Sequence, residues 1–214
     1  MRVFDDRADA ARQLARRLMR YRGEAPLVLG IPRGGVPMAR IVADALGADM
    51  DVVLVRKLGA PGNAEFAIGA IEESGWWFVS PDAQGSGADE AYLARERGRQ
   101  LAVIAARRAL YTRERPRKDP SGRTVIVVDD GLATGATMLA ALHAVRRQGA
   151  ARAVCAVPVA PPGTLNEVAR HADEVICLEA PAVFRSVGEF YRRFDQVEDD
   201  EVVRALKGGG SAQP

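Results

Sequence analysis

Val125-Ile-Val-Val-Asp129-Asp130-Gly131-Leu132-Ala133-Thr134-Gly135-Ala136-Thr137-Met138 is the stretch on which the fold turns. Four β-branched residues read as a buried strand, two adjacent carboxylates end it, and a loop of small residues opens into helical spacing. Each part has a physical use. Small residues let backbone N–H groups converge on an anion, and the first turn of the helix adds the favourable end of its dipole. Thr134 and Thr137 supply hydroxyl donors to the same anion. Asp129 and Asp130 stand at the C-terminal end of a strand, where open α/β sheets bind ligands. Two carboxylates beside a phosphate repel it unless they hold hydroxyls or a cation, and a sugar diol with magnesium supplies both.

Outward from this stretch the chain alternates short apolar strands with helices. Asp6 to Tyr21 carries Leu14, Leu18 and Tyr21 at helical spacing. Leu27 to Ile31 reads as a strand, Val36 to Leu46 as a helix closed by Gly47, and Asp51 to Val55 as a second buried strand. Arg56 to Asn63 reads as a loop, broken by Gly59, Pro61 and Gly62. Ala67 to Ile71 and Trp76 to Val79 form a strand pair, and a loop over Ser80 to Ala88 leads to a long helix from Asp89 to about Arg113. Thr124 to Val128, Ala153 to Val159 and Glu174 to Leu178 are further strands, with helices over Ala136 to Gln148 and Gly163 to Ala169. A last helix covers Asp199 to Leu206, and the tail from Gly208 is expected to be disordered. The pattern predicts an α/β fold with a mainly parallel sheet.

Composition narrows the function classes. The chain has 214 residues, 48% hydrophobic and 27% charged, enough for a sizeable core. A net charge of +2 is too small to argue for nucleic acid, and no helix-turn-helix is evident. Between Asp89 and Lys118 nine basic residues face four acidic ones. That stretch reads as a solvated helix face, with steering of an anionic substrate as the alternative. Cys155 and Cys177 sit in apolar runs as buried thiols rather than a disulfide framework. His143 and His171 have no ligand spacing, which argues against a zinc site or a Ser-His triad. The N-terminus lacks an apolar leader and no stretch approaches a membrane span, so a cytoplasmic protein with no membrane partner is expected.

The stretch from Val125 to Met138 resembles the 5-phosphoribosyl-1-pyrophosphate (PRPP) motif of the type I phosphoribosyltransferases, and DDGLATGATM is especially similar to the adenine phosphoribosyltransferase form. The resemblance implies that Asp129 and Asp130 contact the ribose hydroxyls. It also implies that Ala133, Thr134, Gly135, Ala136 and Thr137 hold the 5′-phosphate. Magnesium would be held mainly through PRPP, near Asp129 and Asp130. Ala133 stands where hypoxanthine-guanine enzymes carry an aspartate, so an acid from that position is missing here.

Two more loops support the resemblance. Gly30-Ile31-Pro32-Arg33-Gly34-Gly35 is similar to the family's pyrophosphate loop: Arg33 supplies charge, and Gly34 and Gly35 permit close backbone approach. Related enzymes often have a cis peptide here, and the matching bond is Pro32–Arg33. Arg56 and Lys57 begin the place where the family has a basic pair and a mobile loop that closes over the reaction centre. Both would neutralise the leaving pyrophosphate. Lys57 and Glu65 are the catalytic candidates, Glu65 as the nearest carboxylate that could take a proton, or else an ordinary solvated acid.

The implied fold is a five-stranded, mainly parallel sheet with flanking helices in one domain over residues 1–206. Its core is expected at about 27–58 and 122–178, a lid or insertion at 59–118 and a C-terminal hood at 180–206. The implied reaction moves ribose 5-phosphate from PRPP to a small-molecule nitrogen acceptor, expected to be a nucleobase, with release of pyrophosphate, and a homodimer is the expected assembly. A PRPP-sensing regulator without chemistry is the alternative. A Rossmann oxidoreductase is disfavoured, because GIPRGG does not supply G-x-G-x-x-G. Trp76 and Trp77 either plug a hairpin or stack on a base, and Phe184 to Tyr191 either lines an acceptor or packs the C-terminus.

Overall fold

The computed structural model describes residues 4–80, 83, 85–111 and 117–208. The rest of the expected tail, residues 209–214, and the last residues of the expected long helix lie outside the described residues.

Helix α1 (Arg7–Leu18) starts at Asp6, whose side chain accepts a hydrogen bond from the Asp9 N–H at 2.9 Å. It buries Ala10, Ala11, Leu14, Ala15 and Leu18 along one stripe. Strand β1 (Leu27–Gly30) runs into α2 (Gly35–Leu46), which ends at Gly47 in the left-handed region, φ 64°. Strand β2 (Asp49–Val52) follows, then β3 (Val55–Ala60), β4 (Asn63–Glu72), β5 (Trp77–Val79) and α3 (Glu90–Tyr111). The second half is β6 (Thr124–Val128), α4 (Ala136–Arg147), β7 (Arg152–Val159), α5 (Pro162–Val168), β8 (Glu174–Glu179) and α6 (Asp199–Lys207).

Five strands form a parallel sheet in the order β2-β1-β6-β7-β8. Gly30 is level with Val52 on one side and with Val128 on the other, so the loops after β1 and β6 leave the same edge side by side. The chain winds outward in opposite directions from these two strands, and the gap between them is the crevice where α/β sheets take ligands.

Both faces of the sheet are covered. Val28, Ile126, Val128 and Val154 pack under α1 and α2, while Leu27, Leu29, Val125, Val127 and Cys155 pack under α4 with Met138, Ala141 and Leu142. Alternate residues of each strand therefore serve opposite layers, which is why the strands read as unbroken apolar runs. Cys155 is buried and Cys177 half-buried, both as free thiols.

The second sheet corrects two expectations. The apolar run from Asp51 to Val55 is not one strand: β2 ends at Val52, and Val55 already pairs with Glu72 in a separate antiparallel sheet of β3, β4 and β5. Arg56 to Asn63 is not a loop either. It is most of β3 plus a tight turn at Pro61 and Gly62, with Gly62 at φ 73°. The residues that read as loop breakers instead make a hairpin possible: Gly62 permits the turn, and Gly59 allows the facing strand so close that a Cβ on it would lie 2.8 Å from the Ala64 Cα.

Trp76 stacks on His143 of α4 with ring centroids 3.4 Å apart, and Trp77 lies under the Arg97 guanidinium of α3 at 4.2 Å. The two tryptophans thus fasten the small sheet to helices on either side.

Candidate active site

The loops singled out in the sequence meet at the shared edge of β1 and β6. Asp129 and Asp130 follow β6 directly, and the turn from Pro32 to Gly34 faces them. The Pro32–Arg33 peptide bond is cis, and Gly34 is the N-cap of α2. A Cβ on Gly34 would stand 2.0 Å from Asp130 Oδ2, and one on Gly35 would stand 2.4 Å from the Val128 carbonyl oxygen. Two glycines are therefore required for the first loop to lie against the second.

The loop from Gly131 to Gly135 reaches the start of α4. Gly135 is its N-cap in the left-handed region at φ 78°, and Ala133 and Thr134 are exposed while Gly135 and Ala136 are buried. The loop is braced from outside: the Thr164 hydroxyl donates to the Ala133 carbonyl at 2.7 Å, and the Leu132 N–H donates to the Val159 carbonyl at 2.9 Å. The geometry is that of an anion cradle at the N-terminus of a twelve-residue helix.

The two carboxylates are not equivalent. Arg7, from α1, places Nε and an amino nitrogen each 2.8 Å from Asp130 Oδ2. The Tyr191 hydroxyl donates to the Asp130 carbonyl at 2.6 Å. Asp129 Oδ1 accepts the Asp130 N–H at 2.9 Å. Burial and then the neighbouring Asp130 push the Asp129 carboxyl well above the usual carboxylate range, against the pull of Arg7 and Lys57. Burial also raises Asp130, with Arg7 opposing it. Burial, then Asp130, raises the Tyr191 phenol.

The basic pair sits on β3. A cavity of about 490 Å³ lies between this strand and α3, and its lining includes Pro32, Arg56, Lys57, Glu96, Arg99 and Thr137. It thus joins the loop after β1, the basic pair and the start of α4. Lys57 is exposed, whereas Arg56 is half-buried and donates to Gln100 Oε1 at 2.9 Å. Glu96, 5% exposed, accepts from Gln100 at 2.8 Å and from Arg99 at 2.9 Å. Burial works to raise its carboxyl, but the donors from Arg99, Gln100 and the Gly59 N–H outweigh that and hold it below its usual range.

Other expected residues lie differently. Arg33 points to Glu198, at 3.1 Å, rather than standing bare in the crevice. Glu65 lies on β4, and its side chain is outside the described residues. The aromatics of the C-terminal segment pack mainly on one another, Phe184 on Phe190 and Tyr191 on Phe194, while Val187 lies against Gly131. Among the described residues no group of three or more His, Cys, Asp or Glu side chains forms a cage for a metal ion. No described helix is long and apolar enough to cross a membrane.

Sequence reasoning missed Arg7, Thr164 and the Glu96–Arg99–Gln100 group. Arg7 is one of many arginines on α1 and Thr164 one of the polar residues opening α5, so neither carried a local signal. Two buried polar residues four apart on α3 would have been a signal only with its packing face known.

Comparison with known proteins identifies the family. The model of the phosphoribosyl transferase domain matches residues 3–193. A Mycobacterium tuberculosis protein, provisionally named a phosphoribosyl transferase, is 47% identical over 207 residues, in both strains compared. The match takes in 96% of this chain but 47% of that protein, so the chain spans about half the length of the curated relatives it matches. The crystal structure of TT1426 from Thermus thermophilus superposes with a TM-score of 0.80 at 48% identity, covering 96% of this chain and 98% of the other. The family model covers most of the chain and the relatives align along 96% of it, so the chain belongs to the type I phosphoribosyltransferase family.

Proposed function

We propose that the protein binds PRPP and transfers its ribose 5-phosphate to a small-molecule nitrogen acceptor, a nucleobase for example, with release of pyrophosphate. The observation that carries this reading is the contact between Gly34 and Asp130, which brings a diphosphate-type loop and a ribose-phosphate-type loop to one crevice.

In this reading the backbone from Ala133 to Thr137 and the hydroxyls of Thr134 and Thr137 take the 5′-phosphate at the start of α4. Asp129, with Asp130 beside it, takes the ribose hydroxyls. The loop from Arg33 to Gly35 and the basic pair Arg56 and Lys57 hold the diphosphate. The acceptor nitrogen gives its lone pair to C1 of the ribose, the C1–O bond breaks, and its electron pair leaves with pyrophosphate. The nitrogen's proton passes to a base, for which we propose Glu65. Charge neutralisation of the leaving group by Arg56 and Lys57 contributes most where water is excluded, and the β3–β4 hairpin with α3 forms the lid that would exclude it.

Magnesium fits this donor set as a substrate-borne ion. Among the described residues the Asp129 carboxylate accepts the Asp130 N–H, and no protein-only cage exists. Asp129, with Asp130 beside it, would hold the ion through PRPP, and when bound it would neutralise charge on the diphosphate. In this reading the protein works inside cells with its PRPP supply, as a homodimer, with no nucleic-acid or membrane partner.

The test is twofold. Calorimetry should show PRPP binding in the presence of magnesium, abolished in a folded Asp129→Asn, Asp130→Asn double variant. Release of labelled pyrophosphate from PRPP, screened against a panel of nucleobases and other amines, identifies the acceptor. PRPP binding with no release against any acceptor would favour a sensor over an enzyme.

A further inference from the structure

Arg7 stands outside every motif of the crevice, at the first position of α1, yet it is the side chain that grips the acidic pair. Nε and one amino nitrogen both reach Asp130 Oδ2 at 2.8 Å, and the other amino nitrogen donates to the Asp195 carbonyl at 2.6 Å. The guanidinium carbon lies 3.8 Å from the centre of the Phe194 ring. The two charged side chains are 15% and 16% exposed. Three connections therefore fix the plane and position of the guanidinium, and with it one oxygen of Asp130. The Asp130 main chain is held as well, by the Tyr191 hydroxyl. Among the described residues Asp129 has no such cation, and its carboxylate accepts the Asp130 N–H instead.

The charge balance follows. Two bare carboxylates at the crevice would present two negative charges to a ligand carrying a phosphate and a diphosphate. Like charges in a site of reduced dielectric repel strongly. Arg7 removes one of the two.

We propose that Arg7 is a positioning residue for the substrate site: it pins and neutralises Asp130, leaving Asp129 as the carboxylate that receives the ribose hydroxyls. The inference rests on the reading of the crevice as a PRPP site, and it divides between the two acids a role that the sequence motif gives them jointly. Asp130 becomes an anchor that ties α1 and the C-terminal segment to the edge of the sheet. Asp129 becomes the ligand-facing group.

The experiment is calorimetric binding of PRPP with magnesium to the full chain and three variants: Arg7→Ala, Arg7→Lys and Arg7→Gln. Arg7→Ala should weaken binding roughly tenfold or more, because it leaves a half-buried, unpaired negative charge beside a polyanion. The decisive comparison is Arg7→Lys with Arg7→Gln. The lysine restores the charge and should bind within about threefold of the original, whereas the glutamine keeps hydrogen-bonding capacity without the charge and should bind about as weakly as Arg7→Ala. A purely structural role for Arg7 predicts no such split, since both replacements lose the guanidinium fork. Arg7→Ala binding within about twofold of the unaltered protein, or Arg7→Lys as weak as Arg7→Gln, would overturn the proposal. Should Arg7→Ala not fold, the lysine and glutamine variants decide by the same criterion. Absence of PRPP binding by the unaltered protein would overturn the PRPP reading and this inference together, whereas intact binding in the Arg7 variants overturns the inference alone.

Discussion

Gly34 and Asp130, from loops at the ends of neighbouring strands, are in such close contact that a methyl group on the first would stand 2.0 Å from a carboxylate oxygen of the second. That oxygen cannot retreat freely, because Arg7 holds it at 2.8 Å. Gly34→Ala should therefore push the two loops apart, at about 1–3 kcal/mol of stability. PRPP affinity should fall with it. Thermal unfolding and calorimetry on one sample check both, and a variant as stable as the original would show that the loops yield without consequence.

Lys57 is exposed on β3 at the cavity that joins the three loops. If it neutralises the leaving diphosphate, Lys57→Ala should lower kcat/KM roughly 10²–10³-fold while leaving the unfolding midpoint unchanged. Steady-state kinetics with the acceptor found by the panel screen measures this, and a loss under threefold would remove Lys57 from the reaction.

Tyr92 of α3 donates its hydroxyl to the Gly59 carbonyl at 2.8 Å, near the tip of the β3–β4 hairpin. Tyr92→Phe should cost about 1 kcal/mol locally. Hydrogen exchange should quicken around Gly59 and Ala60 before it does elsewhere, which would mark the hairpin as a unit that opens separately from the parallel sheet. Uniform exchange rates across both sheets would contradict this.

Asp173 accepts an ion pair from Arg146 at 2.8 Å and a hydrogen bond from the Ala153 N–H at 2.7 Å. These two interactions, Arg146 first, hold its carboxyl below the usual range. A depressed folded-state value means the stabilisation is complete above the unfolded value of about 3.9 and is lost as pH falls through the folded one. Asp173→Asn should lower stability near neutral pH by no more than about 1 kcal/mol, since the pair is partly exposed. It should also flatten the loss of stability below about pH 4. Urea unfolding of both proteins at pH 7 and in the acid limb tests the sign. A steeper acid loss in the variant would refute it.

Most of the parallel sheet was legible because β1, β6 and β7 are short apolar runs, each followed by small or turn-forming residues before the next helix. Val125 to Thr137 was legible for the same reason: its chemistry is contiguous along the chain. What failed was the passage from Asp51 to Asn63, where an unbroken apolar run hides a change of sheet between Val52 and Val55. Hydrophobicity marks burial but not which sheet does the burying. Gly59, Pro61 and Gly62 read equally well as loop or hairpin, and only pairing with β4 decides. Contacts such as Arg7 to Asp130 join residues 123 apart. Nothing local to either residue announces them.

Thr164 holds the Ala133 carbonyl from a helix outside the motif, and its methyl group lies where a side chain on Gly135 would go. The ten residues that identify the family are thus not an autonomous device. Transplanted onto another strand–helix junction, the same letters would lack the brace that gives the loop its curvature, and they should grip a phosphate poorly. Conversely, two chains with identical motifs and different residues at position 164 would differ in how ready the cradle is before its ligand arrives, a difference invisible to any comparison confined to the motif.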